Sequence, residues 1–153
     1  MKQITEIQFS EEKGSSYLFL QEAQLFLNNK KWCQKIEDGF LGIYVEGILA
    51  AFKFIIIPTS DNIDKELWVI VGDIPPAYLV TDYAPDAISA LKVYVEEMNL
   101  WVDAVMNNKS IDDLIPVNTS ATKENAKNLK KRLDFIIDKI IPEVSTWPEV
   151  SRN

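Results

Sequence analysis

Between residues 88 and 105 the apolar residues Ile88, Leu91, Val95, Met98, Val102 and Val105 advance by three and four positions. That spacing puts them on one stripe of a helix. Tyr94 and Trp101 widen the stripe, so a well-buried helix is predicted here. Pro85 suits its first turn, where a missing amide costs nothing. Asp82 or Asp86 would face the positive end of the helix dipole. Ala126, Leu129, Leu133, Ile136 or Ile137, and Ile140 predict a last helix from about 122 to 141, ended by Pro142. Near the start, Leu20, Ala23 and Leu27, flanked by Phe19 and Phe26, predict a helix over 16–29. Ser15 or Ser16 would cap it. Between the two long C-terminal helices, Ser110 to Pro116 predicts one short turn capped by Ser110.

The middle of the chain has a different rhythm. The runs Phe40–Val45 and Ile48–Ile57 are apolar, β-branched and aromatic, and Glu46-Gly47 separates them, which predicts a hairpin. The second run is almost continuously apolar, so it should be central and buried on both faces. Lys53 is its only charge and guards it against edge aggregation. Glu66–Gly72 and Ala77–Thr81 predict two more strands. Pro75 and Pro76 between them donate no backbone hydrogen bond, so they belong to a turn or an edge. The expected fold is α+β: an antiparallel four-stranded meander with an N-terminal helix and two C-terminal helices packed on it, in two layers. Residues 1–153 read as one domain, with 1–14 and 143–153 as loosely ordered ends unless Trp147 holds the tail to the body.

The segment from Trp68 to Asp86, WVIVGDIPPAYLVTDYAPD, joins the last two strands to the long helix. It resembles a family of small bacterial proteins of unknown function. The residues that carry the resemblance are Trp68, Val69, Gly72, Asp73, Ile74, Pro75 and Tyr78. An acidic residue often precedes the tyrosine in that family, whereas this chain has Ala77. The resemblance implies a shared hairpin and a shared site, and brings no activity, substrate or catalytic residue.

Composition narrows the chemistry. The chain has no histidine and a single cysteine, Cys33. It therefore has no imidazole base, no Ser-His or Cys-His nucleophile pair, no internal disulfide and no cysteine cluster for a metal. With only five glycines, neither a P-loop nor a dinucleotide fingerprint is present. Cys33, although beside Lys30 and Lys31, reads as a small buried thiol. No run approaches the roughly 20 apolar residues of a membrane span, and the first residues lack a signal-peptide core. A cytoplasmic protein starting at its own methionine is the expectation.

The net charge of −7 disfavours nucleic acid and anionic membranes as partners. Residues 81–113 hold seven acids and two lysines, whereas 123–139 hold six bases and three acids. Both stretches read as solvated helix faces, and Lys92 and Glu96 as an i,i+4 pair. The carboxylates match no calcium-loop or zinc spacing. No cofactor, metal or catalytic residue is therefore expected. The residues singled out for binding a partner or ligand are Trp68, Asp73, Tyr78, Asp82, Tyr83 and Asp86. The leading expectation is a non-enzymatic protein that binds another, basic protein through this acidic, aromatic surface, and a toxin-neutralising (immunity-type) protein fits it. The rival is a small-ligand binder or a carboxylate-based enzyme with a pocket between sheet and helices.

Overall fold

The structure, a computed structural model, describes residues 1–8 and 14–151. Among these, five strands form one antiparallel sheet in chain order: β1 (Lys2–Gln3), β2 (Cys33–Val45), β3 (Leu49–Pro58), β4 (Glu66–Gly72) and β5 (Ala77–Val80). The helices are α1 (Ile4–Gln8), α2 (Gly14–Asn28), α3 (Ala87–Met106), α4 (Lys123–Phe135), α5 (Ile141–Val144) and α6 (Pro148–Ser151). The class is α+β, as expected, and β3 is the central strand.

The layering corrects the expectation. In β3 and β4, alternate residues point to opposite faces. Leu49, Ala51, Trp68 and Ile70 pack under α3 and α4, while Ala50, Phe52, Phe54, Val69 and Val71 pack under α1 and α2. Two adjacent strands apolar on both faces need a cover on each side. The molecule therefore has three layers, with the sheet between the N-terminal and C-terminal helices.

Several boundaries also move. β2 begins at Cys33, well before the apolar run, and carries the polar stretch Gln34–Asp38 into the sheet through register irregularities. Val45 pairs with Leu49, so the hairpin loop takes in Ile48 as well as Glu46 and Gly47. Ser15 lies inside α2. Its hydroxyl bonds the Tyr44 hydroxyl at 2.6 Å and accepts the Gly47 N–H at 3.0 Å, which ties the helix start to that loop. Pro142 does not end the last helix. Residues Ile136–Ile140 form a π-helical turn in which the Ile141 N–H reaches the Ile136 carbonyl, and α5 follows with Pro142 in its first turn. The wider turn accommodates a ring that would collide with the carbonyl four residues back.

Both chain ends contribute apolar residues to the body. Ile4 and Ile7 are buried against the α2 face, and Lys2-Gln3 pair with Leu41 and Phe40. Val144 and Val150 are buried on the other face, with Trp147 packed there. Residues 9–13 and 152–153, which the expected loose ends include, lie outside the described residues.

The chain leaves β4 through a tight passage. Gly72 has φ of +135°, and a Cβ there would stand 2.3 Å from the Ile48 carbonyl oxygen. That carbonyl accepts the Asp73 N–H at 2.8 Å. Ile74 then turns into the core, and Pro75-Pro76 leads into β5 at the sheet edge. The proline pair sits where a missing amide costs no ladder bond.

Candidate functional site

The six residues singled out from the sequence separate into two groups. Trp68 is fully buried, and its indole N–H donates to the Ala84 carbonyl at 2.8 Å. It anchors the turn before α3 and offers no surface to a partner, which corrects its place among the binding residues. Asp86 caps α3: its carboxylate accepts the Ser89 N–H at 2.8 Å, and the Ser89 hydroxyl accepts the Asp86 N–H at 3.1 Å. This reciprocal pair leaves Pro85 just outside the helix, not in its first turn.

Asp73 precedes β5, Tyr78 lies within it, and Asp82 and Tyr83 follow it. Asp73 is exposed and meets Arg132 of α4 at 3.4 Å. Tyr78 is half-buried on the α2 side, with its ring 5.0 Å from that of Trp32 and 6.3 Å from that of Phe26. Asp82 is exposed, and Tyr83 is 77% exposed, although aromatic rings are ordinarily covered.

β5 is the terminal strand of the sheet. Its ladder runs to β4 alone, from Ala77 opposite Ile70 to Val80 opposite Leu67. In an antiparallel pair alternate residues turn their N–H and C=O outward. Among the described residues, no backbone hydrogen bond meets β5 from its outer side. At the far side of the sheet the terminal strand is the two-residue β1, which pairs with Phe40 and Leu41 of β2.

Two hollows flank this edge, one on each face of the sheet. On the α2 side a hollow of about 400 Å³ is lined by Phe26, Lys30, Pro76, Tyr78 and Val117. Lys30 Nζ lies 4.3 Å from the centre of the Phe26 ring. On the α3 side a hollow of about 590 Å³ is lined by Leu79, Tyr83, Val93, Glu96 and Glu97. Ile115 and Pro116 wall both, so the loop after α3 stands opposite the strand edge. A third, polar cleft of about 440 Å³ continues past Pro76 and Asn118 to Asp73, Asn125, Asn128 and Arg132. Hollows of this size accept several side chains or a small molecule.

The electrostatics follow the faces. Among the described residues the ion pairs are Lys53 with Glu66, Lys130 with Asp134, and Arg132 with Asp73. The expected Lys92–Glu96 pair does not form, so Glu96 is left exposed at the α3-side hollow, with Glu97 beside it. Glu22 of α2 lies near the passage out of β4. Burial pushes its carboxyl above the usual carboxylate range, partly opposed by a hydrogen bond with the Gly72 backbone. Burial likewise raises the Cys33 thiol, which lies in the α2-side core.

Sequence reasoning missed Ile115, Pro116, Val117, Phe26 and Lys30 as neighbours of β5. The available signal was the apolar Ile-Pro-Val inside an otherwise polar loop, which implies that the loop rests on something. Among the described residues no group of three or more His, Cys, Asp or Glu side chains could hold a metal ion, and no helix is long and apolar enough to cross a membrane. Fold and site together define an α+β molecule with an open sheet edge between an acidic and a basic hollow. No protein-family model, curated protein or solved structure matches the chain.

Proposed function

We propose that this is a non-enzymatic binding protein of the bacterial cytoplasm that holds another protein against the β5 edge. The observation that carries the reading is the open backbone of β5 with a hollow on each side. Tyr83 adds an exposed ring at the rim, and tyrosine is favoured where binding energy concentrates. The body is acidic, with a net charge of −7, which favours a basic partner over nucleic acid or an anionic membrane. A toxin-neutralising role of the immunity type suits such a body, and the likeness of the Trp68–Tyr78 motif to small uncharacterised bacterial proteins is kept as part of this proposal.

The test is affinity capture from the protein's own cell extract, with wild type and Tyr83→Ala compared in low and high salt. The reading expects one stable partner, retained by wild type, weakened by Tyr83→Ala and weakened by salt. Recovery of the same proteins with both baits, or of none, counts against it.

A second reading rests on the polar cleft at Asp73 and Arg132. A carboxylate, a guanidinium and the carboxamides of Asn118, Asn125 and Asn128 share one wall there, a donor and acceptor set suited to a small polar ligand. A thermal-shift screen of metabolites discriminates. A rise of several degrees with one compound, lost in Asp73→Asn, favours this alternative.

A further inference from the structure

We infer that the partner supplies an extended segment that pairs with β5 as an additional strand, with alternate side chains in the two hollows and a Lys or Arg on the α3 side. This deepens the binding reading and rests on it. The first support is the backbone. β5 has four residues, about 13 Å at roughly 3.3 Å each, and alternate residues turn unsatisfied groups outward. A strand edge whose outward backbone groups have no partner takes up another strand, and main-chain bonds supply the affinity.

The second support is the placement of the hollows. Successive side chains of a strand point to opposite faces. The Phe26–Lys30 hollow lies on the α2 face and the Tyr83–Glu97 hollow on the α3 face, with Tyr78 and Leu79 as the consecutive β5 residues between them. One added strand therefore reaches both with neighbouring residues, whereas a helix laid on the edge would present one face to one hollow.

The third support is charge. Glu96 and Glu97 have no ion-pair partner among the described residues, and Tyr83 and Val93 give an apolar floor beside them. A long aliphatic stem ending in a cation matches both features. On the α2 side Lys30 already lies over the Phe26 ring, so a cation from the partner is repelled and an apolar side chain fits. A second copy of this chain is a poor occupant, because two-fold pairing of β5 edges would bring the two Glu96–Glu97 pairs towards each other on bodies of net charge −7.

The probe is a capped hexapeptide of alternating leucine and lysine, titrated to millimolar concentration into the full chain and followed by backbone amide resonances and amide exchange. The expected result is saturable change at Ala77–Val80, with slower exchange of the outward amides. Two N-methylated peptides are compared, one methylated at the leucines and one at the lysines. Strand pairing requires that one lose binding and the other keep it, since only one set of amides faces β5. A leucine-glutamate peptide should bind roughly tenfold more weakly, and the double variant E96K/E97K should reverse that order. Glu96→Lys alone, at an exposed position, serves if the double variant does not fold.

Equal binding by both N-methylated peptides overturns strand pairing while leaving the docking face intact. So does the absence of any peptide binding when affinity capture still yields a Tyr83-dependent partner. Absence of both overturns the binding reading itself. A concentration-dependent dimer that protects the β5 amides without peptide overturns the inference in favour of a second copy.

Discussion

The Tyr94 hydroxyl, projecting from the middle of α3, donates to the Pro75 carbonyl at 2.6 Å. A buried side chain of the C-terminal layer thereby holds the turn that delivers the edge strand. Pro75 and Pro76 offer no amide by which the sheet could hold this turn, so the restraint comes from a side chain.

Tyr94→Phe keeps the ring and removes the bond. We expect a loss of about 1 kcal/mol in urea unfolding, from a carbonyl left without its partner. Burial also raises the phenol above its ordinary value. The unfolded chain gives up its proton from about pH 10, whereas the folded one keeps it. The unfolded state therefore binds fewer protons there, and stability contributed below pH 10 is lost as pH rises further. Unfolding measured from pH 8 to 11 should show a steeper alkaline decline in wild type than in Tyr94→Phe. Equal slopes would contradict this role.

Gly72→Ala should be among the most destabilising single-methyl changes in the molecule. It combines a φ of +135° with a Cβ placed 2.3 Å from a backbone oxygen. A cost of about 2 kcal/mol or more is expected, because backbone on both sides must shift. Gly47→Ala is the comparison. Its φ is also positive, at +71°, but nothing lies within 4 Å of the added Cβ, so its cost should be smaller. Thermal melts of the two variants rank them.

Asp86→Ala removes the carboxylate that caps α3 and should cost about 1 kcal/mol, with Asp86→Asn close to wild type. Because Asp86 is occupied in this way, Asp86→Asn should also leave partner capture unchanged. Weakened capture by Asp86→Asn, at unchanged melting temperature, would return Asp86 to the docking surface.

Glu22 gives a prediction in which the substitution stabilises. Its carboxyl is raised mainly by burial, so the folded state holds the proton more tightly than the unfolded state does. Stability from this group is present at acid pH and falls as pH rises through the unfolded carboxylate value of about 4.3. Glu22→Gln should therefore be more stable than wild type at pH 7, with the advantage shrinking towards pH 4. Denaturant midpoints at the two pH values decide the matter.

Much of the scaffold was legible along the chain. The stripe from Ile88 to Val105 did become the deeply buried α3, and the unbroken apolar run of β3 did become the sheet centre. The polar start of β2 was not legible, because Gln34–Asp38 lack an alternating pattern and are strand only by pairing with β3. Of the proposed docking face, Tyr78 and Tyr83 stand close enough in the sequence to be singled out together. Its outer wall was not.

Local periodicity and the prolines determined by themselves the long helices, the central strand and a turn that must lie at an edge, since each follows from backbone geometry within a few residues. Tertiary structure alone decided that the sheet is covered on both faces, that Trp68 is core and Asp86 a cap, and that Ile115 and Pro116 stand across from Tyr78. Those outcomes depend on contacts between residues far apart in the chain, and no local pattern encodes which of two apolar faces a distant segment will cover.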